Sequence, residues 1–219
     1  MNHQPEDPYL PERRLMVKHQ IEARGVRDPR VLNALLTVPR HLFIPPGYRK
    51  GAYGDHPLPI GHGQTISQPY IVALMTEMLD LSPSDKVLEI GAGCGYQAAI
   101  LAHIARYVVT IERLPDLARF ARENLESQGV RNVRVVEGDG TKGYPPDSPY
   151  DAIIITAAAP SIPSPLIDQL AEGGRIVAPV GTMEIQTLTK GIKVQGKMCI
   201  TNHGGCRFVP LIGEYGWRE

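Results

Sequence analysis

The 219-residue chain reads as an α/β protein, with a mostly parallel, doubly wound sheet, an N-terminal helical extension and C-terminal antiparallel strands. Three observations predict this. Short apolar runs alternate with helical segments from Lys86 to Pro179, the pattern of repeated βα units. The first run, Val87-Leu88-Glu89-Ile90, empties into a glycine-rich turn that opens a helix. The tail from Gln186 to Leu211 carries β-type runs in which Gly191, Gly196, Gly204 and Gly205 read as breaks.

The elements follow in chain order. Pro11 to Val38 is helical, with a second apolar face on Val31, Leu32, Leu35 and Leu36, and Asp28-Pro29 forms a cap and first turn for that second helix. Pro39, Pro45 and Pro46 end it. Gly51 to Pro69 is rich in glycine and proline and reads as a loop; a long ordered loop ahead of an α/β core is usually functional. Gln68-Pro69 opens a helix through Leu79, in which Met75 and Met78 read as core filler. Strands are then expected at Lys86–Ile90, Tyr107–Ile111, Val133–Val136, Ala152–Thr156 and Arg175–Pro179. Helices are expected at Tyr96–Ala105, Leu117–Gln128 and near Pro165–Leu170.

Composition excludes several classes. Lys+Arg and Asp+Glu both number 23, so nothing suggests an electrostatic grip on nucleic acid or an anionic membrane. Cys94, Cys199 and Cys206 are too few and too widely spaced for a disulfide framework or a zinc site, and free thiols in a reducing compartment are expected. Met1 to Pro11 is polar and proline-bearing, unlike a signal peptide, and no apolar run is long enough to span a bilayer. The expected location is the cytoplasm, and the expected state a monomer.

The chemistry concentrates in Glu89-Ile90-Gly91-Ala92-Gly93-Cys94-Gly95-Tyr96. Glycines let the backbone turn sharply and approach a ligand closely. Glu112, at the end of the next strand, can accept hydrogen bonds from ribose hydroxyls. Gly138-Asp139-Gly140 closes the third strand and places an acid within reach of an adenine amino group. Together these predict a nucleoside site. The turn reads GxGxG rather than the dinucleotide GxGxxG, and Glu89 would face a pyrophosphate badly but suits the ammonium and sulfonium of S-adenosylmethionine. A Rossmann-like methyltransferase is therefore favoured over a NAD-dependent enzyme, with no metal expected.

The chain also resembles the protein-L-isoaspartate (D-aspartate) O-methyltransferases, roughly from Val31 to Trp217. The resemblance rests on Val38-Pro39-Arg40, the Pro59 to Pro69 segment, the two glycine turns, Tyr150 to Ile154 with Ala157 to Pro160, Gly173-Gly174-Arg175, Pro179-Val180-Gly181, and Arg207 to Leu211. Gln64 to Pro69 and Arg207 to Leu211 are its most specific parts. It implies methyl transfer from S-adenosylmethionine to the free α-carboxylate of isoaspartyl residues in damaged proteins and peptides, leaving S-adenosyl-L-homocysteine. By position it implies Ser67 as the catalytic and substrate-contacting residue. Thr65 and Ile66 would flank the cofactor with Glu89, Gly91, Ala92, Gly93, Gly95, Tyr96, Glu112, Gly138, Asp139 and Gly140. Ala157, Ala158, Ala159, Pro160 and Val209 would border the acceptor. One domain over 1–219 is expected: an extension and active-site loop in 1–80 and a Rossmann-like core in 81–219.

A carboxylate is ionised at neutral pH and needs no general base, in keeping with a Gly54–Pro69 loop that lacks Lys, Arg and Cys. His62 stands where relatives carry an aromatic residue and reads as a packed or partly exposed histidine. From the residues alone a helix cap is the favoured reading of Ser67, and only the resemblance turns it towards substrate contact. An RNA methyltransferase of related fold is the alternative reading, and a binding protein that lost catalysis is a third.

Overall fold

The computed structural model describes residues 7–218; of the N-terminal segment Met1–Pro11, residues 1–6 lie outside it. The first helix, α1 (Leu10–Leu15), runs on through a π-helical stretch, Met16–Ile21, and a 3-10 turn, Glu22–Arg24, before Gly25 ends it with φ of 102°. Then comes α2 (Pro29–Thr37), whose N-cap Asp28 accepts from the Arg30 N–H at 2.8 Å, the capping expected of Asp before Pro.

The Gly51–Pro69 segment is more ordered than a loop. It contains an antiparallel hairpin, β1 (Leu58–Gly61) with β2 (Gln64–Ile66), whose reversal is made by Gly61, His62 and Gly63, all with positive φ. Leu58, Ile60 and Ile66 are buried, and these three alternating apolar residues were too sparse among the glycines and prolines to read as strands. The helix α3 (Pro69–Met78) follows directly, and Met75 and Met78 sit in the core as filler.

The core is a seven-stranded sheet. Its strands are β3 (Lys86–Ile90), β4 (Tyr107–Glu112), β5 (Val133–Glu137), β6 (Tyr150–Ile155), β7 (Leu170–Gly181), β8 (Gln186–Val194) and β9 (Lys197–Cys206). They lie in the order β5-β4-β3-β6-β7-β8-β9, parallel from β5 to β7 and antiparallel thereafter. The helices α4 (Tyr96–Ile104), α5 (Pro115–Ser127) and α6 (Ser164–Gln169) make the crossovers. β3, β4 and β6 are almost wholly buried, as parallel strands covered on both faces must be.

The two faces differ. One packs Val87, Val108, Ala152, Ile154 and Val177 beneath the π-helical stretch and the helices α2 to α5; the other packs Leu88, Ile90, Ile111, Ile153 and Ile176 against α6 and the C-terminal Leu211. Gly191 does not break the tail: it lies within β8, where a side chain would collide with Met198 and Ile176, and Gly204 and Gly205 likewise lie within β9. Gly196 is a break, in the β8–β9 turn. Among the described residues Cys94, Cys199 and Cys206 are free thiols, and no helix is long and apolar enough to cross a membrane.

Chain order reverses at β3. The path runs outward through β4 to β5, then returns to place β6 on the other side of β3. Such a switch point leaves a crevice at the carboxyl ends of the strands, the usual ligand position in an open α/β sheet.

Candidate active site

A cavity of about 270 Å³ lies in that crevice, near the lower end of small-molecule sites. Its floor is the glycine turn. Gly91, Gly93 and Gly95 have φ of 100°, 53° and 85°, conformations that L side chains rarely adopt. A Cβ on Gly91 would collide with the Thr156 hydroxyl, which donates to the Ile90 and Gly91 carbonyls, each at 2.8 Å. Gly95 is the N-cap of α4, and a Cβ there would press on the Ala121 carbonyl and Leu125 of α5 at 3.2 Å. The Asn124 amide, also on α5, donates to the Cys94 carbonyl at 2.9 Å and fixes the turn from behind.

Glu112 closes one end. Its carboxylate accepts from the Gly93 N–H at 2.9 Å and the Leu114 N–H at 3.1 Å, one per oxygen. Each oxygen keeps a lone pair for a ligand hydroxyl, and the backbone donors hold the group in place before any ligand arrives. With a close backbone floor, this donor set fits a ribose. Among the described residues no cluster of His, Cys, Asp or Glu could hold a metal ion.

Of the residues that the sequence nominated, Thr65, Ile66, Ser67, Gly91, Ala92, Gly93, Tyr96, Glu112, Gly140, Ala157 and Val209 come together as cavity wall. The remainder do not line it, and each for its own reason. Gly95 lies under α5, as above. Glu89 is completely buried, and neither carboxylate oxygen has a hydrogen-bond partner among the described residues. Its side chain shares a sheet face with Val87, and burial pushes its carboxyl up to about 8; the nearby charge of Glu112 adds to this while Thr110 offsets part. A carboxyl so buried is largely protonated at neutral pH, not an exposed anion awaiting a cation.

Asp139 is also engaged otherwise. One carboxylate oxygen accepts from the Thr141 N–H at 2.9 Å and its hydroxyl at 2.6 Å, while the other accepts from the Glu214 N–H at 2.9 Å. Burial acts to raise its pKa, but these hydrogen bonds outweigh it and hold the group below the usual carboxylate range. Asp139 thus fastens the C-terminal segment, while the oxygen that accepts from Glu214 keeps a lone pair. With Gly138 it borders a shallower adjoining hollow beside Gly213 and Trp217.

The Ala157 to Pro160 segment divides. Ala157 lines the cavity. Ala158 and Ala159 are backbone supports: the Ala158 N–H donates to the Val209 carbonyl at 2.7 Å, and the Ala158 carbonyl accepts from the Leu211 N–H at 2.8 Å and the Trp217 indole at 3.1 Å. The Ala159 N–H donates to the Pro179 carbonyl at 2.9 Å. Pro160 is exposed, outside the cavity. These bonds seat Val209 to Ile212 as the far wall, of which the sequence reading held only Val209. The wall also includes Gln97 and Thr156, which no motif marked.

Ser67 lies half-buried at the mouth, between β2 and α3. It is not the cap: Gln68 occupies the N-cap position, and the Ser67 hydroxyl makes no hydrogen bond among the described residues. His62, at the hairpin tip, is half-exposed and 3.6 Å from Asp116, outside the cavity wall.

The family model described as Protein-L-isoaspartate(D-aspartate) O-methyltransferase matches residues 12–216, starting earlier than the Val31 at which the resemblance began. The chain is 59% identical over 212 residues to a protein-L-isoaspartate O-methyltransferase of Methanoculleus marisnigri, covering 97% of this chain and 96% of the relative. It is 60% identical over 212 residues to that of Methanoregula boonei, with 97% and 98% covered. A solved protein-L-isoaspartate O-methyltransferase superposes with a TM-score of 0.84 at 31% identity, over 93% of this chain and 67% of that one. A Plasmodium falciparum protein described as a β-aspartate methyltransferase, solved in complex with S-adenosyl-L-homocysteine, superposes with a TM-score of 0.79 at 26% identity, over 92% and 98%.

Proposed function

The chain belongs to the protein-L-isoaspartate (D-aspartate) O-methyltransferase family, and from that premise we propose how its cavity carries out the transfer. It is an S-adenosylmethionine-dependent enzyme that methylates the free α-carboxylate of isoaspartyl residues in damaged proteins and peptides; RNA modification is not favoured. The observation that carries the reading of the site is the meeting of Ser67, Glu112 and the Gly91–Gly93 turn on one cavity wall.

Bound at this site, S-adenosylmethionine supplies a methyl group made electrophilic by its sulfonium. Glu112, already oriented by two N–H groups, accepts from the ribose hydroxyls. The Gly91-Ala92-Gly93 backbone, Tyr96 and Gly140, with Thr65 and Ile66 from the hairpin, line the cavity and would hold the rest of the cofactor. Glu89, neutral and buried, supports the turn from beneath and makes no direct contact.

The acceptor carboxylate is a nucleophile as it stands. The chain has to bring it in line and keep water away. Ser67, whose hydroxyl has no competing partner among the described residues, donates to one carboxylate oxygen. Ala157 and Val209 border the acceptor chain, and Ile66, Val72, Ile90 and Leu211 give the cavity an apolar lining. In a dry site, attack of an anion on a cation is favoured because charge is cancelled in the transition state. A single hydroxyl holds the carboxylate without neutralising it.

The reading extends to the whole protein as a monomer acting in the cytoplasm, with residues 1–80 and 81–219 working as one domain and with isoaspartyl chains as its partners, without nucleic acid or membrane. It is supported by the balanced charge and by the way Ser67, from the first part, meets Glu112, from the second.

The test is Ser67→Ala. The folded variant should lose kcat by tenfold or more, while affinity for S-adenosyl-L-homocysteine changes little, because the lost bond counts at the aligned transition state. Full kcat in this variant would remove Ser67 from the acceptor site.

A further inference from the structure

Arg40 has no exposed surface, yet it carries a charge. It lies in a 3-10 turn, Arg40–Leu42, between α2 and the hairpin. Its Nε donates to the Ala52 carbonyl at 2.8 Å and one terminal nitrogen, Nη2, donates to the Ser67 carbonyl at 2.7 Å. The guanidinium carbon lies 5.0 Å from the centre of the Tyr96 ring, and Tyr96 lines the cavity from the start of α4. The other nitrogen, Nη1, is buried without a hydrogen-bond partner among the described residues.

Two other arginines with little exposed surface show what is unusual here. Arg175 also grips main-chain carbonyls, of Leu79, Asp80 and Asp151, but Asp85 sits beside it at 2.5 Å as counter-ion. Arg13 has Asp7. Arg40 has no carboxylate partner among the described residues; it meets carbonyls and an aromatic face. A buried charge without a counter-ion is costly, and a structural role as carbonyl clamp would be served more cheaply with an acid nearby. What this charge ties to the Ala52 turn is the segment of chain that carries the acceptor-binding serine.

We propose that Arg40 is a positioning residue for the methyl transfer: it fixes the Ser67 segment against the Tyr96 wall, so that the acceptor carboxylate meets the cofactor at the right distance. This rests on the assignment of Ser67 to the acceptor site. Arg40 does not touch either substrate. It acts by holding the Ser67 carbonyl, and through it the peptide that joins Ser67 to the cap of α3. A guanidinium reaches the Ala52 and Ser67 carbonyls together from two different nitrogens, because its donors diverge in a fixed fork; an ammonium has all three of its donors on a single nitrogen.

The experiment compares Arg40→Met, Arg40→Lys, Ser67→Ala and the double variant Arg40→Met/Ser67→Ala, with an isoaspartyl peptide as acceptor. For each folded protein, kcat, peptide KM and the Kd of S-adenosyl-L-homocysteine are measured. Hydrogen exchange is followed in the peptide covering residues 64–72. Arg40→Met should lose kcat about tenfold to a hundredfold, the range for a charge-assisted hydrogen bond, with the Kd within about twofold of wild type. Exchange should accelerate in 64–72 and stay unchanged in β3 and β4. The double variant should be no slower than the slower single variant, since both changes act on one contact. Arg40→Lys should behave like Arg40→Met, and it carries the comparison if Arg40→Met does not fold.

Unchanged kcat in Arg40→Met or Arg40→Lys overturns the proposal, as do fully additive losses in the double variant. So does a fall in cofactor affinity equal to the fall in kcat, which would mark a general loosening of the fold. A slow Arg40→Met beside a fully active Ser67→Ala would instead overturn the reading of Ser67 alone. The grip on the loop would then stand, acting on the acceptor through backbone.

Discussion

Replacing Glu89 with glutamine should remove most of the pH dependence that this residue imposes on stability. The carboxyl is completely buried, has no hydrogen-bond partner among the described residues, and is pushed up to about 8 from an ordinary 4.5, chiefly by burial. The folded protein therefore keeps a proton that the unfolded chain gives up. Where the native state binds more protons than the unfolded state, stability falls as pH rises. The contribution of Glu89 is complete below about 4.5, declines steadily, and is lost above about 8. At about 1.4 kcal/mol per pH unit, the span corresponds to roughly 4–5 kcal/mol, a large share of a typical domain's stability. His41 works the other way: burial lowers its pKa, so its contribution grows as pH rises and is complete above about 6.5. The difference between wild type and Glu89→Gln cancels His41. Urea unfolding of both proteins at pH 5, 6, 7 and 8 supplies it. Glu89→Gln should gain on wild type progressively, by a few kcal/mol in total. A constant difference across this range would mean that Glu89 ionises normally in the folded protein, and the buried, neutral acid beneath the glycine turn would be wrong.

Two further outcomes follow from the site. Glu112→Ala removes the acceptor for ribose and the tether of Gly93, so affinity for S-adenosyl-L-homocysteine should fall by about tenfold or more, as calorimetry on the folded variant would record; unchanged affinity removes Glu112 from the ribose. Asp139→Ala should free the C-terminal segment: hydrogen exchange at Glu214 and Tyr215 should quicken by about tenfold, with peptide KM rising more than cofactor Kd, and unchanged exchange would show that Asp139 does not fasten the tail.

Most of the fold was legible because its signals are local. Parallel strands buried on both faces appear as continuous apolar runs, and the glycine turn announces itself by conformations that other residues avoid. The hairpin was not legible, because Leu58, Ile60 and Ile66 alternate over too short a span among residues that normally mark loops. At the site, the glycines and Glu112 were readable because their roles belong to one strand end and its turn. The tie that Asp139 makes to the tail is hidden for the opposite reason. Its partner Glu214 lies 75 residues away, and nothing in Gly-Asp-Gly distinguishes an acid facing a ligand from one that ties down a tail. Glu89 was assigned by its chemistry, whereas strand alternation decides its direction, and it shares the Val87 face beneath the helices. Arg40 stood in view within Val38-Pro39-Arg40, but its grip on Ser67 spans 27 residues and is visible only in three dimensions.

The most direct measurement is incubation of the protein with methyl-labelled S-adenosylmethionine and a matched pair of peptides, identical except that one carries isoaspartate and the other aspartate. Base-labile label, released as methanol, should form with the isoaspartyl peptide and stay at background with the aspartyl one. Equal labelling of both peptides, or of neither, would contradict the assignment of this cavity to isoaspartyl carboxylates.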